Sequence, residues 1–582
     1  MTRFNAPIAE QIWDMKYRLK DALGNYIENS VEETWARIAN AIAQAEPEKK
    51  DYWANTFYNA LEDFKFLPAG RITAGAGTGR NVTLFNCFVM GTIPDNMGGI
   101  FDMLREAALT MQQGGGIGYD FSSLRPKGAI VKGVAADASG PISFMQVWDA
   151  MCRTIMSAGS RRGAMMGTMR CDHPDLMDFI TCKQDKAELR MFNLSVLITD
   201  DFMEAVKNDA PWDLVFEGKV YNTLPAKHIW EAILNGTYTC AEPSVIFIDR
   251  INQDNNLNYC ETIASTNPCG EQPLPPYGAC LLGSINLAKF VNEGGSLKKN
   301  ELEAIVKIAV RMLDNVIDVS KFPLPQQEQE AKNKRRIGLG VTGLADALVM
   351  MGITYGSDEA VVMTEFIMKT ISVASYNASI SLAVEKGSFP LLERAKFLAS
   401  GNMEKMPSDV RNSVWENGIR NALLTSVAPT GTISLYAGNV SSGIEPIFAN
   451  SYTRDVLEKD GSKRNELVED YAVAKFRKDN PDTKLPATFV SAQTLTTIDH
   501  VKMQAAAQKW VDSSISKTVN CPEDITFADF ENVYMQAWEM GCKGCTTFRP
   551  NDITGSILEV VKEPEGGACV YDPLTGIRTC DS

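Results

Sequence analysis

The stretch STNPCGEQPLPPYGACLLGSINL, Ser265 to Leu287 of a 582-residue chain, decides how the rest is read. Asn267, Cys269 and Glu271 stand at alternate positions, separated by Pro268 and Gly270. In a helix, residues two apart point in very different directions, and Pro268 and Gly270 disfavour a helix in any case. In an extended segment or loop, alternate side chains share a face. An amide, a thiol and a carboxylate would then converge on one small substrate. Taken alone, the same residues also describe a proline-rich surface loop with a buried cysteine. Cys280 in this stretch and Cys87 in FNCFVM read singly as core residues of apolar strands.

Outward from this segment, short apolar runs alternate with longer helical ones. LFNCFVM, LSVLI, SVIFI and LLTSVAP have strand texture, whereas IFDMLREAALTMQQ and ELEAIVKIAVRMLDNVI carry helical spacing. That alternation predicts an α/β core with much parallel pairing. The first 65 or so residues predict helices, with Ser30 and Glu33 spaced as a capping box before VEETWARIANAIAQA. After Gly541 the chain is punctuated by Gly and Pro, and GGACVYDPLTGIRTCDS predicts a flexible tail.

Composition narrows the function classes. Hydrophobic residues are 45% and charged residues 22%, the profile of a globular protein. A formal charge of −15 argues against a nucleic-acid coat or a basic membrane-binding surface. The start, MTRFNAPIAEQIW, has no signal-peptide pattern, and no long uncharged run predicts a membrane span. A cytoplasmic protein is expected, in which thirteen cysteines call for something other than a disulfide scaffold. His173, His228 and His500 are too few and scattered for a histidine metal site, and no metal site is expected.

Several long motifs then fall in order. FNCFVMGTIPDNMGGIFDML, GGGIGYDFSSLRPKGA, RRGAMMGTMRCDHPD, the Asn267 to Cys280 segment, RRIGLGVTGLADAL and SVAPTGTISLYAGNVSSGIEP together closely resemble the catalytic subunit of ribonucleotide reductases, from about Ala6 to about Pro550. The resemblance implies a ten-stranded α/β barrel of two five-stranded halves with a central finger loop, over residues 66–545. A small helical region, 1–65, precedes it without an ATP-binding regulatory module, and a tail, 546–582, follows. It also implies chemistry. Cys269 would be the thiyl radical that abstracts the ribose 3′ hydrogen, Glu271 the general base for the 3′-hydroxyl, and Asn267 a hydrogen-bond partner of the ribose. A carboxylate in a closed pocket suits that shuttle because desolvation raises its pKa. Cys87 and Cys280 would be the reducing pair that ends as a disulfide, which requires the fold to bring them within disulfide range. The substrate's phosphates would meet Pro429, Thr430, Gly431 and Thr432, where a strand-like run leads into a helix start.

The resemblance also points to a deoxynucleoside triphosphate or ATP effector, with Mg, near a homodimer interface. Asp95, Arg125, Arg161 and Arg162 are the candidate residues, in and around loops 122–132 and 159–167. Two glycine patterns are decoys for a nicotinamide-dependent oxidoreductase. Gly338, Gly340 and Gly343 satisfy G-x-G-x-x-G, but KNKRR rather than an apolar strand precedes them. GGGIGYDF reads as a helix stop leading into a strand.

Class I relatives take their radical from a separate subunit through paired tyrosines, yet Thr546, Thr547 and Phe548 stand in the matching region, GCKGCTTFRPN. No glycyl-radical motif is present either. The resemblance is therefore to class II enzymes, which use adenosylcobalamin. A class I subunit with a separate radical generator is the alternative. In the tail, Cys569 and Cys580 are expected to re-reduce the Cys87–Cys280 pair and to be reduced by thioredoxin or glutaredoxin. A zinc site using Cys542, Cys545, Cys569 and Cys580 is the competing reading.

Overall fold

The computed structural model describes residues 3–131, 136–155, 164–184, 188–457 and 463–550, with three two-residue strand pieces beyond. Near the start, helices α1 (Val31–Ile42) and α2 (Lys50–Leu61) follow one another. Helix α1 buries Val31, Trp35, Ile38 and Ile42, the apolar stripe its sequence predicts. The expected capping box does not form. Ser30 makes no side-chain cap, and the Glu33 carboxylate instead accepts from the Asn29 N–H at 2.7 Å.

The strands that place the site are β1 (Phe66–Pro68), β2 (Cys87–Val89), β3 (Gly116–Asp120), β4 (Met165–Arg170), β5 (Phe192–Ile198) and β6 (Ser244–Phe247). They continue as β7 (Ser265–Thr266), β8 (Pro273–Leu274), β9 (Ala279–Cys280), β10 (Leu282–Asn286), β11 (Gly338–Thr342), β12 (Thr518–Asn520) and β13 (Gly544–Phe548). One eight-stranded sheet has the order β9-β2-β3-β4-β5-β6-β13-β12, and a three-stranded sheet the order β1-β10-β11. Strands β2 to β6 are mutually parallel, as alternation with helices requires. Helix α3 (Met97–Gln112) is one such crossover; Gly114, at φ +93°, ends it before β3, as GGGIGYDF predicts.

The expected α/β class and helical N-terminal region are found, but the main strands form an eight-stranded and a three-stranded sheet, with β7 and β8 paired apart from both, rather than one closed ladder of ten. The run LLTSVAP is not a regular strand. Thr425 bridges Leu339 and Val427 bridges Ile515, both in parallel, because its backbone groups are divided between β11 on one side and Ser513 to Ser516 on the other. The decoy glycines have a packing role. Gly338 and Gly340 lie inside β11, where a Cβ would collide with the Gln272 side chain and the Ser426 carbonyl.

Candidate active site

Strands β7 and β8 pair as a small hairpin, Ser265 opposite Leu274 and Thr266 opposite Pro273, and residues 267–272 form its tip. Asn-Pro-Cys-Gly is a favourable β-turn sequence, with Asn first, Pro second and Gly last. The turn closes as the Gly270 N–H donates to the Asn267 carbonyl at 3.0 Å, and Gly270 adopts φ +80°. The Asn267 Oδ1 accepts from the Gln272 N–H at 3.0 Å. Cys269 therefore sits at the apex of a tight turn. Of the extended segment or loop expected, the loop is found: a tight turn presents Cys269 and Glu271 to one cavity, while Asn267 is bonded within the turn.

Residues from other strands hold this tip between the two sheets. Asn193 on β5 donates from Nδ2 to the Pro268 carbonyl at 2.7 Å. The Glu271 carbonyl accepts from Ser426 Oγ at 2.8 Å and from the Ser514 N–H at 3.0 Å, and Thr168 Oγ1 donates to the Ala264 carbonyl at 2.9 Å. Two glycines of β3 make room. A Cβ on Gly118 would overlap the Thr266 carbonyl, and one on Gly116 would lie 3.0 Å from Cys87 Sγ and 3.1 Å from Pro268 Cγ. Cys87 and the hairpin tip thus meet over Gly116. Sequence reading passed over Asn193, Gly116, Ser426 and Ser514, because nothing local marks a residue whose partner lies tens of positions away.

A cavity of about 710 Å³ opens on this tip, within the range of small-molecule sites. Cys269, Glu271 and Cys87 line it on one side and Pro429 to Thr432 on another. Glu271 is 2% exposed, whereas Cys269 is only partly buried. Asn267 is fully buried and does not line the cavity; its Nδ2 has no hydrogen-bond partner among the described residues. Strand β9 runs antiparallel to β2 with Cys280 directly opposite Cys87. Directly opposed residues of an antiparallel pair have Cα atoms about 4.5–5.5 Å apart, inside the span a disulfide bridges.

Electrostatically, the lining is basic. Lys16, Arg18, Lys20, Arg71 and Arg80 border the cavity and Glu271 is its single carboxylate, which suits a multiply charged anion. No sequence motif marked these cations, since they come from three separate segments. Pro429 to Thr432 leads into helix α4 (Gly431–Tyr436), as predicted, but six residues make a helix with little dipole to offer. Thr430 lies at φ +55°, a left-handed conformation that costs a β-branched residue about 1–2 kcal/mol. Its hydroxyl is bonded inward to Thr342 and Ser434, so the backbone of the segment and Thr432 are what face the cavity.

The remaining candidates lie elsewhere. Arg125 and Asp95 form an ion pair at 2.8 Å, and Arg125 also donates to the Ile130 carbonyl at 3.2 Å. Close by, Asp120 is driven up to about 6 by burial despite the hydrogen bond it accepts from Ser122. Arg161, Arg162, Cys569 and Cys580 lie outside the described residues. On β13, Thr546 donates to Ser244 Oγ at 3.2 Å and Thr547 shares a hydrogen bond of 2.8 Å with Tyr534. Cys542 and Cys545 are buried beside them, with Cys542 pushed up to about 12 by desolvation and Cys545 raised for the same reason. Among the described residues no group of three or more His, Cys, Asp and Glu is arranged for a metal ion, and no helix is long and apolar enough to cross a membrane.

Comparison with known proteins covers nearly the whole chain. The model of the ribonucleotide reductase all-alpha domain matches residues 3–81, and that of the ribonucleotide reductase barrel domain matches 85–548. A vitamin B12-dependent ribonucleoside-diphosphate reductase of Mycobacterium tuberculosis is 38% identical over 567 residues, covering 93% of this chain and 79% of that protein. The protein of the same description from Thermoplasma acidophilum is 37% identical over 575 residues, covering 94% and 72%. A ribonucleoside-diphosphate reductase subunit alpha of Chlamydia pneumoniae is 26% identical over 586 residues, covering 88% of this chain and 56% of that protein.

Proposed function

The chain belongs to the ribonucleotide reductase family, and from that premise we propose that it reduces ribonucleoside diphosphates to 2′-deoxyribonucleotides by cobalamin-dependent thiyl-radical chemistry. One observation carries the reading: Cys269, Glu271 and Cys87 line a single basic cavity, with Cys280 in register opposite Cys87. The 37–38% identity to the B12-dependent proteins of Mycobacterium tuberculosis and Thermoplasma acidophilum, against 26% to the Chlamydia pneumoniae subunit alpha, disfavours the class I alternative. So do Thr546, Thr547 and Phe548, none of which carries a phenol.

Cys269, oxidised to a thiyl, takes the 3′ hydrogen of the ribose, while buried Glu271 accepts the proton of the 3′-hydroxyl. With a radical at C3′, the neighbouring 2′-hydroxyl leaves as water once a thiol of the Cys87/Cys280 pair protonates it. The pair supplies two protons and two electrons and ends as a disulfide. Cys269 returns its hydrogen atom to C3′, so the thiyl is regenerated and the pair alone is consumed. Backbone groups of Gly431 and Thr432, with the surrounding cations, hold the phosphates. Asn267 fixes the turn through Gln272, and its hydrogen bond to the ribose is the role the family resemblance implies.

Adenosylcobalamin, when bound, supplies the hydrogen-abstracting radical that oxidises Cys269. The residues present fit it in one respect: Cys269 is partly exposed at a turn apex, open to approach by a large group. The residues that would hold it are Asn193, Ser244 and Thr546 on the sheet beside Cys269; Asn193 and Thr546 are exposed although both lie on inner strands.

We read the two sheets as halves of the ten-stranded barrel that the family resemblance implies. Supporting this, Thr425, Val427 and Ile515 extend the smaller sheet towards β12, and β9 leads directly into β10. Asp95 and Arg125, with Arg161 and Arg162, are the proposed effector residues at a homodimer contact, the effector being a Mg-bound nucleoside triphosphate. Cys569 and Cys580 are the proposed shuttle to thioredoxin or glutaredoxin in the cytoplasm. The deciding experiment is anaerobic reduction of CDP and GDP by the purified chain with a dithiol and effectors. Turnover only with adenosylcobalamin is expected; turnover that instead demands a second radical-generating polypeptide would refute the class II assignment.

A further inference from the structure

Behind the cavity wall at Pro429 to Thr432 lies a buried triangle of hydroxyls. Thr342, the last residue of β11, has its Oγ1 2.7 Å from Ser434 Oγ and 3.1 Å from Thr430 Oγ1, and those two are 3.0 Å apart. Thr342 also donates to the Ser441 carbonyl at 2.9 Å, and the Gly443 N–H donates to Thr430 Oγ1 at 2.8 Å. Thr342 and Ser434 are 0% and 1% exposed.

A hydroxyl has one proton and two lone pairs, which limits the direction of these bonds. The Ser441 carbonyl can only accept, so the Thr342 proton is committed to it. Within the triangle Thr342 then only accepts, and the protons of Thr430 and Ser434 serve its three sides, at least one of them reaching the Thr342 oxygen. The Thr430 hydroxyl is thereby turned into the triangle, while the residue, which lines the cavity, sits in the left-handed region that a β-branched residue rarely adopts. Gly431 follows with open space around it, and Thr432 lines the cavity. Thr342 itself does not line it.

We propose that Thr342 is a positioning residue for the phosphate end of the substrate. Through Thr430 it fixes the turn that presents Gly431 and Thr432 to the cavity. This rests on the reading that the phosphates sit at Pro429 to Thr432. An effect confined to the phosphate end is the same in the bound substrate and the transition state, so it acts on KM and leaves kcat alone.

The test compares Thr342→Val, Thr342→Ser and Thr432→Val in the full chain with cofactor and dithiol, using inorganic pyrophosphate as a competitive probe. Thr342→Val is expected to raise both KM for CDP and Ki for pyrophosphate by about tenfold, with kcat within about twofold of the parent. Thr342→Ser should restore both constants. A loss of kcat at unchanged KM, or a serine variant no better than valine, would overturn the proposal. If Thr432→Val weakens pyrophosphate and Thr342→Val does not, the proposal fails alone. If neither variant alters pyrophosphate inhibition, the phosphate reading fails and takes the proposal with it. Should Thr342→Val not fold, Thr342→Ala is read out in the same way.

Discussion

Two groups of cysteines in this protein occupy environments that the sequence writes in the same letters. Cys269 and Cys87 border a basic cavity, one at a turn apex and one on a strand opposite Cys280. Cys542 and Cys545, spaced as a metal-binding pair would be, are sealed into the core, where desolvation holds their thiols protonated. Reactivity in a thiol follows exposure and local charge rather than spacing. The difference teaches that a C-x-x-C spacing carries less information here than a single cysteine between proline and glycine, because only the second dictates a backbone shape.

The comparison breaks most visibly at its most exposed member. Cys269→Ser should abolish deoxynucleotide formation by more than about 10⁴-fold, since a hydroxyl cannot serve as the hydrogen-abstracting radical. Substrate binding, followed by equilibrium dialysis of CDP, should be nearly unchanged. Residual turnover within tenfold of the parent would remove Cys269 from the chemistry. Glu271→Gln keeps shape and burial but cannot take a proton, and a fall in kcat of about 10²–10³-fold is expected, with KM little altered. A fall in KM-dependent binding alone would make Glu271 a ligand instead of a base.

A sharper test of the cavity pair uses thiol counting. After one turnover without external reductant, the denatured protein should have lost a pair of titratable thiols, and Cys87→Ser should abolish that loss. Unchanged thiols in the parent protein would refute the assignment of Cys87 and Cys280 as the electron source.

How much of this was legible beforehand depends on the range of each interaction. The turn at Asn267 to Gly270 is local, and its residues name it. The parallel α/β core follows from alternating runs, and α1 from the spacing of Val31, Trp35, Ile38 and Ile42. What was illegible is whatever needs a partner far along the chain. Asn193 holds the carbonyl beside Cys269 from β5, Gly116 makes room for two groups from different strands, and Thr342 reaches Thr430 across 88 positions. The direction of the Thr430 hydroxyl was equally hidden, because PTGT reads as an anion loop whichever way its side chains turn. LLTSVAP has strand composition, yet its hydrogen bonds are shared out between two neighbours and leave only isolated bridges.

The smallest effects belong to the core pair, and they should appear in stability alone. Cys542→Ser places a hydroxyl where a weakly polar thiol sat fully buried, and a loss of about 1–3 kcal/mol is expected, measured by urea unfolding, with kcat of the folded enzyme retained. The core thiols also set a pH dependence. Cys542 is raised from 9.0 to about 12 in the folded state, so folded protein binds its proton more tightly than unfolded protein does. Its contribution is complete below pH 9 and drains away as the pH rises from 9 towards 12. The parent protein should therefore lose stability across that window more steeply than Cys542→Ala, whose residue 542 has nothing to ionise. Equal slopes for the two proteins would mean that Cys542 does not titrate on unfolding, and its burial would then be no part of the distinction between core and cavity thiols.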